Sequence, residues 1–245
     1  MEQISILVNG SKGKMGQEAV KAISSSPHLT LCAEADRGDD LMKMLQTHSP
    51  QVVVDFTTAS AAFENAQTIV EFGSCPVIGT SGLQTREVEE LQQKCKSKNL
   101  GGLIAPNFAI GAVLMMKFAQ EASKFFPDAE IIEMHHNKKA DAPSGTAIKT
   151  VNMIASARKH SPAALDEKEL IPGARGAKNH DVHVHSVRLP GLIAHQSVLF
   201  GGEGELLSIR HDSFDRKSFM PGVCLACEKV TGLNELIYGL ENLIS

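Results

Sequence analysis

A short polar segment carries the side chains of this chain that are best suited to chemistry. Residues 135–147 read HHNKKADAPSGTA, with two adjacent histidines, His135 and His136, followed by Lys139. Imidazole and ammonium groups can give and take protons. The segment then reaches a helix start whose unpaired N–H groups and hydroxyls favour a bound carboxylate, at Ser144, Gly145 and Thr146. This grouping predicts a site that holds a small dianion and delivers a proton during a reduction.

Two predicted elements must position this segment. A strand over Ala129–Met134 runs into the histidines, and a helix over Thr146–Arg158 follows. If the strand continues, successive side chains point to opposite faces, so His135 and His136 have different tasks. The alternative is a solvated loop between a strand and a capped helix, with no site at all.

The first hundred residues alternate between strand and helix patterns. Alternation at this spacing indicates βαβ units in a doubly wound parallel sheet, and near-continuous apolar strands fit burial on both faces. The predicted strands are Ile4–Val8, Leu29–Glu34, Val52–Asp55, Pro76–Ile78 and Leu100–Ala105, and the predicted helices are Met15–Ser25, Asp40–Thr47, Ala59–Phe72 and Thr85–Lys96.

The pattern changes after Asn107. Ile110–Phe126 reads as one long helix, and His180–Arg210 reads as several strands punctuated by glycines. We expect an α/β protein with an N-terminal Rossmann-like domain and a C-terminal α+β domain that has a mostly antiparallel open sheet. The expected dinucleotide-binding domain spans residues 1–107, with 216–245 returning to it partly as a helix over Met220–Leu236. Residues 108–215 would form the substrate-binding and oligomerisation domain.

A glycine-rich loop between the first strand and the first helix predicts a dinucleotide site. Glycines allow the backbone to approach a pyrophosphate, and the helix N-terminus favours negative charge. Glu34 ends the second strand, where an acidic residue accepts hydrogen bonds from an adenosine ribose. The alternative is an ordinary turn with a surface glutamate. The loop residues are Gly10, Ser11, Lys12, Gly13, Lys14, Met15 and Gly16, and Lys12, Lys14 or Arg37 could meet a 2′-phosphate.

Two more loops follow the carboxyl ends of later strands, where ligands bind in such sheets. Each is polar or kinked where a nicotinamide needs backbone partners, although either could be a plain strand–helix turn. They are Gly79, Thr80, Ser81 and Gly82 after the fourth strand, and Ala105, Pro106, Asn107 and Phe108 after the fifth.

The composition of the chain argues against several classes of function. A net charge of −4, no Trp and one Tyr argue against nucleic acid as a partner. No apolar run reaches the roughly 18 residues of a membrane span. Five scattered cysteines and an N-terminus without signal-peptide features predict a cytoplasmic protein with reduced thiols. We expect no metal site at Cys224 and Cys227, or at His183 and His185.

A longer signature gives a specific resemblance. Glu133 through Ala147 match E-x-H-H-x-x-K-x-D-x-P-S-G-T-A in full, and the chain resembles the 4-hydroxy-tetrahydrodipicolinate reductase (dihydrodipicolinate reductase) family over nearly its whole length. Further matches are the Gly10–Gly16 loop, Glu34, Asp55-Phe56-Thr57, Gly79-Thr80, Pro106-Asn107-Phe108 and Arg188 through His195. Ala35 follows Glu34 where many relatives carry an arginine for the 2′-phosphate, so both NADH and NADPH stay open as cofactors.

The resemblance implies a role for each matched position. His135 would be the proton donor or acceptor and Lys139 the proton donor, while His136, Gly145 and Thr146 would bind a dicarboxylate substrate. The dinucleotide would contact Gly10 to Met15, Glu34, Gly79 to Ser81 and Ala105 to Phe108. The family reduces a cyclic imine diacid, formed by loss of water, in lysine and diaminopimelate synthesis. It assembles as a homotetramer through the sheet of its second domain.

Two rival functions remain open. One is another two-domain NAD(P)-dependent dehydrogenase of aspartate-family amino-acid synthesis, which would need a catalytic cysteine or a Lys-Asp pair after the nucleotide domain. The other is a non-catalytic dinucleotide sensor, which would leave Lys139 and the Ser144–Thr146 helix start without a task.

Overall fold

The computed structural model describes residues 3–160 and 168–244. In chain order, the strands are β1 (Ile4–Asn9), β2 (Leu29–Ala35), β3 (Val52–Asp55), β4 (Cys75–Ile78), β5 (Gly102–Ile104), β6 (Asp128–His135), β7 (Ala177–Asn179), β8 (Val182–Arg188), β9 (Ala194–Gly202), β10 (Glu205–Ser213) and β11 (Leu236–Tyr238). The α-helices are α1 (Lys14–Ser24), α2 (Leu41–His48), α3 (Ala59–Phe72), α4 (Thr85–Ser97), α5 (Ile110–Ala122), α6 (Gly145–Ala157) and α7 (Met220–Val230).

The chain divides into two compact units. Unit 1 consists of Met1–Ile110 and Arg216–Ser245, and unit 2 consists of Gly111–Asp215. The second unit is therefore inserted between two segments of the first. Among the described residues, no helix combines the length and the apolar character needed to cross a membrane.

Unit 1 is built on a parallel sheet of six strands in the order β11-β5-β4-β3-β1-β2. The order turns at β1, which lies between β3 and β2, and this reversal marks the place where such sheets bind ligands. All four residues of β3 and all four of β4 are buried, as expected for strands covered by helices on both faces. The predicted doubly wound parallel sheet is confirmed.

The core of unit 1 joins the sheet to its helices. Leu7 and Val53 from the strands pack with Leu45 of α2, Ile69 of α3 and Leu91 of α4, all fully buried. Burying such a side chain contributes about 1.5–3 kcal/mol. The packing therefore fixes the carboxyl edge of the sheet, where the loops of interest lie.

Unit 2 is built on a mixed, mostly antiparallel sheet in the order β10-β9-β6-β8-β7. Only the β6–β8 pair is parallel, and its register places His135 opposite Arg188 and Glu133 opposite Ser186. β6 is also paired to β9, antiparallel, so it lies in the centre of the sheet. The predicted mostly antiparallel sheet is confirmed, and the polar segment starts from its central strand.

Three elements differ from the sequence prediction. The segment expected as a helix over Met220–Leu236 is helical only to Val230, and Leu236 begins β11, which pairs with β5. A thirteen-residue α5 ends at Ala122 and does not continue to Phe126. The exposed strand β7 was not predicted, because Ala177–Asn179 carries no apolar alternation.

Candidate active site

The glycine loop joins β1 to α1 through a turn that only glycine fits. Gly10 has a φ of 82°, and a Cβ on it would lie 2.6 Å from the carbonyl oxygen of Phe56. A Cβ on Gly16 would overlap the carbonyl of Gly10. α1 then begins at Lys14, with Gly13 as its N-cap and no side-chain cap. The loop thus brings bare backbone and a helix N-terminus together, which suits a pyrophosphate.

The predicted loop residues differ in exposure. Ser11 is buried, Met15 is half-buried, and Lys12 and Lys14 are exposed. Both lysines therefore lie at the surface of the loop.

A cavity of about 500 Å³ opens beside this loop. Its lining includes Asp36, Arg37 and Asp39, which follow β2, but not Glu34. Glu34 lies within β2 and is exposed. β2 extends one residue further than predicted, to Ala35, so the acidic residue beyond the strand end is Asp36. Further lining residues are Asn9, Gly10, Gly13, Gly38, Leu41, Phe56, Thr57, Thr58, Ala61 and Asn65.

Asp36 is held by backbone groups. Its carboxylate accepts hydrogen bonds from the N–H of Lys12 and the N–H of Arg37, each at 2.7 Å. These backbone hydrogen bonds lower the pKa of Asp36, so the side chain stays ionised. An ionised carboxylate only accepts hydrogen bonds, which makes it a suitable partner for ribose hydroxyls.

Asp55, at the end of β3, collects donors from several loops. It is fully buried and accepts hydrogen bonds from the amide of Asn9 and the amide of Asn65, both at 2.9 Å. The hydroxyls of Thr57 and Thr80 donate to it at 2.7 and 2.9 Å. A carboxylate satisfied in this way fixes the ends of β1, β3 and β4 against each other.

The two later loops meet at the same edge. The rings of Phe56 and Phe108 stack edge to face with centroids 5.9 Å apart, and a Cβ on Gly79 would overlap the Phe56 ring. Asn107 Oδ1 accepts a hydrogen bond from the N–H of Ala109 at 2.8 Å. Among the other predicted contacts, Ala105 is buried, Thr80 is half-buried, and Ser81 and Pro106 are exposed.

In unit 2, His135 is the last residue of β6, and His136 already lies in the loop that follows. The strand therefore does not continue far enough to place them on opposite faces by alternation. His135 Nδ1 lies 2.6 Å from the carboxylate of Glu133. His136 has a buried Nδ1 that finds no hydrogen-bond partner among the residues that the structure describes. The two imidazoles thus have different surroundings, which fits different tasks.

Glu133 is fully buried and paired with Arg188. Arg188 Nη2 donates to Oε1 at 2.7 Å and Nη1 donates to Oε2 at 2.9 Å, a bidentate geometry. Burial raises the pKa of Glu133, but hydrogen bonds from His135, Arg188 and Ser186 outweigh it and bring the pKa to about 2. Glu133 is therefore a carboxylate at neutral pH.

Lys139 is held by a second carboxylate. Its Nζ donates to both oxygens of Asp141 at 2.8 Å, and the side chain of Lys139 is 22% exposed while that of Asp141 is 63% exposed. The hydrogen bonds from Lys139 lower the pKa of Asp141. The ammonium group is thus oriented and still accessible to a ligand.

The predicted helix start is present, with its residues in distinct roles. Ser144 is the N-cap of α6, and its hydroxyl accepts from the N–H of Ala147 at 3.2 Å. The N–H of Ser144 donates to Glu133 Oε1, also at 3.2 Å. A Cβ on Gly145 would meet no atom of the described residues within 4 Å. Ser144 is thus engaged in the cap, and Gly145 keeps the first turn of α6 uncrowded.

The histidines of β8 have hydrogen-bond partners within unit 2, and the two cysteines of α7 are free thiols. His183 Nδ1 lies 2.7 Å from the carbonyl of Arg175, and His185 Nε2 lies 2.9 Å from Glu130. Within residues 3–160 and 168–244, no three His, Cys, Asp or Glu side chains form a group that could hold a metal ion. Burial raises the pKa of the Cys224 and Cys227 thiols.

Sequence reasoning missed two residues near these sites. Asp36 was detectable as the acidic residue just beyond the second strand, had that strand been predicted to end at Ala35, and its neighbour Arg37 was already among the residues predicted to meet a 2′-phosphate. Asp141 lies in the signature, but its pairing with Lys139 was not foreseen.

Comparisons with known proteins agree with this arrangement. Residues 4–108 match the family described as "Dihydrodipicolinate reductase, N-terminus", and residues 111–244 match "Dihydrodipicolinate reductase, C-terminus". A 4-hydroxy-tetrahydrodipicolinate reductase from Legionella pneumophila is 52% identical over 98% of both chains. One from Coxiella burnetii is 49% identical over 98% of this chain and 99% of its own.

One solved structure supports the same family, and another shares only the fold. A dipicolinate-bound dihydrodipicolinate reductase from Paenisporosarcina sp. TG-14 superposes with a TM-score of 0.91 at 45% identity, covering 98% of this chain and 99% of that one. An amine dehydrogenase from Mycobacterium smegmatis shares the fold alone, with a TM-score of 0.68 at 11% identity and coverage of 98% and 96%. This chain therefore belongs to the dihydrodipicolinate reductase family.

Proposed function

We propose that this chain is an NAD(P)H-dependent 4-hydroxy-tetrahydrodipicolinate reductase of lysine and diaminopimelate biosynthesis. It converts its substrate, with loss of water, to tetrahydrodipicolinate. The observation that carries the proposal is one cluster of unit 2. There an imidazole and an ammonium, each held by a carboxylate, lie on the segment that leads into the first turn of α6. Membership of the family supplies the substrate class.

The cluster suits the chemistry of a conjugated imine diacid. NADH or NADPH, when bound, supplies the hydride. Addition of a hydride to a conjugated imine leaves an enamine-like anion that must be protonated, and a positioned acid accelerates such a step. His135 acts as proton donor or acceptor and Lys139 as proton donor. His136, Ser144, Gly145 and Thr146 hold the substrate carboxylates, with Ser144 acting through the helix cap.

Unit 1 binds the cofactor. The bare backbone of Gly10 to Met15 faces the pyrophosphate. This is supported by the close packing of Gly10 on the Phe56 backbone and of Gly16 on the Gly10 backbone, which a Cβ at either glycine would prevent. Asp36 takes the place proposed for Glu34 and accepts from the ribose hydroxyls. Arg37, exposed beside the cavity, meets a 2′-phosphate, so both NADH and NADPH are accepted. The loops Gly79 to Ser81 and Ala105 to Phe108 contact the nicotinamide.

The quaternary structure is a homotetramer formed through the sheet of unit 2. Supporting this, the edge strand β10 has mostly exposed residues, with Leu206 66% exposed. An apolar side chain in that position is covered favourably by another copy of the chain. We also propose a cytoplasmic location, which the five free cysteines support.

The test of the function is substrate-dependent oxidation of the cofactor. Pyruvate and aspartate semialdehyde, condensed enzymatically, provide the substrate in situ, and omission of either one is the control. Consumption of NADPH or NADH only in the complete mixture supports the proposal. Binding of cofactor without turnover would instead favour a sensor, and oxidation or reduction of aspartate semialdehyde alone would favour another dehydrogenase of aspartate-family synthesis.

A further inference from the structure

The buried carboxylate of Glu133 is saturated with donors. Oε1 accepts from Arg188 Nη2 and from the N–H of Ser144, and Oε2 accepts from Arg188 Nη1 and His135 Nδ1. With its side chain fully buried, Glu133 can touch no substrate. Glu133 instead forms hydrogen bonds with His135 and with the start of α6.

The hydrogen bond to Glu133 decides which nitrogen of His135 carries the proton. An ionised carboxylate can only accept, so Nδ1 of His135 must be the protonated nitrogen in the neutral ring. Nε2 is then left with its lone pair and is the atom that exchanges a proton with a ligand. At 2.6 Å the hydrogen bond is short, as charge-assisted hydrogen bonds are, and it also fixes the orientation of the ring.

Arg188 also links Glu133 to the loop that carries Lys139. Besides holding Glu133, its Nη2 donates to the carbonyl oxygen of Asp141 at 2.9 Å. The carboxylate of Asp141 in turn accepts two hydrogen bonds from Lys139. One guanidinium group thus connects the strand that carries His135 with the loop that carries Lys139.

We propose that Glu133 and Arg188 form one buried ion pair that positions both proton-handling side chains, His135 directly and Lys139 through Asp141. This inference rests on the proposed reductase function. Glu133, Arg188 and Asp141 are positioning residues. Their loss misplaces the proton donor, while the cofactor site of unit 1 is left unchanged.

The first test reads the tautomer of His135 and needs no substrate. Nitrogen NMR of the ¹⁵N-histidine-labelled protein, with His135 assigned by a His135→Gln variant, shows which ring nitrogen is protonated when the ring is neutral. We expect protonated Nδ1 in the wild type and loss of that preference in Glu133→Ala. Protonated Nε2 in the wild type would overturn the proposal, even if Glu133→Ala does not fold.

The second test separates positioning from binding by kinetics. Arg188→Lys keeps the charge but loses the planar fork that reaches Glu133 and Asp141 together. We expect kcat to fall about 10- to 100-fold, as for other orienting residues, with KM for NAD(P)H unchanged. Glu133→Gln should behave in the same way.

A matched control lies on the same strand. Glu130 also accepts from an arginine, Arg175, and a histidine, His185, but away from the cluster. Glu130→Gln should keep the wild-type kcat. Equal kcat in Arg188→Lys and wild type, or an equal fall in Glu130→Gln, would overturn the proposal. An inactive wild type would refute the reductase function, whereas the tautomer measurement would still report on Glu133 and His135.

Discussion

The side-chain amide of Asn9 donates a hydrogen bond to the carboxylate of Asp55, 2.9 Å away, and so joins the ends of β1 and β3. The two residues are also register partners in the parallel pair of these strands. Thr80 adds the end of β4 through its hydroxyl. The cofactor loops of unit 1 therefore share one buried anchor.

Replacing that anchor should weaken both the fold and the cofactor site. Asp55→Ala removes the acceptor of the buried amide of Asn9 and one of the two acceptors of the half-buried amide of Asn65. We expect a loss of about 2–4 kcal/mol in the free energy of unfolding, measured with urea, and a higher Kd for NAD(P)H. Glu64→Ala, an exposed site on α3, should change stability by less than about 0.5 kcal/mol. Similar losses in both variants would contradict this.

Cofactor recognition should depend on Asp36 and Arg37, not on Glu34. Asp36→Ala removes the acceptor beside the cavity and should raise KM for NADH. Arg37→Ala removes a cation suited to a 2′-phosphate and should raise KM for NADPH more than KM for NADH. Each effect should be on the order of 10-fold, about one good charged hydrogen bond. Side-by-side titrations check this, and an effect confined to Glu34→Ala would reverse the assignment.

The end of β2, which decides whether Glu34 or Asp36 is proposed for the ribose, shows which features of the fold a sequence pattern can predict. Strand and helix alternation predicted the parallel sheet, because apolar runs between turns are a local signal. No local sequence signal sets the end of β2, because pairing with β1 extends the strand to Ala35. The strand ends one residue later than predicted, so the first residue beyond it is Asp36 and not Ala35.

Contacts between strands that are far apart in the sequence could not be predicted, for the same reason. The polar segment predicted the proton donors and the helix start. The pairing of Glu133 with Arg188 depends on the parallel register of β6 and β8, which no local pattern encodes. β11 was also missed, because Leu236–Tyr238 is short and gains its strand character only by pairing with β5.

Acid should destabilise the wild type through Glu133. Its pKa is about 2 in the folded chain against an ordinary 4.5, so the unfolded chain binds its proton first as the pH falls. The carboxylate thus stabilises the fold above pH 4.5, and this contribution is lost between about 4.5 and 2. Urea unfolding at several acidic pH values should show a steeper fall for the wild type than for Glu133→Gln. Parallel slopes would contradict the assignment.

The glycine loop should not tolerate a methyl group at Gly16. Its Cβ would overlap the carbonyl of Gly10, which is backbone and cannot rotate away. We expect Gly16→Ala to cost about 1–3 kcal/mol of stability and to weaken NAD(P)H binding. Gly232→Ala is the control, because its Cβ would lie 3.6 Å from the nearest oxygen, an ordinary contact. Equal cofactor affinity in both variants would show that the loop adapts.

The claim that this polar segment handles the proton is tested most directly by the kcat of Lys139→Ala beside that of Lys138→Ala. The two lysines are neighbours. In the described part of the chain, the carboxylate of Asp141 accepts hydrogen bonds from Lys139 and not from Lys138, which is exposed. With saturating substrate and cofactor, Lys139→Ala should lose about 10²–10⁴-fold in kcat, as expected for a positioned acid. Lys138→Ala should keep the wild-type rate. A Lys139→Ala variant that turns over as fast as Lys138→Ala would contradict the account.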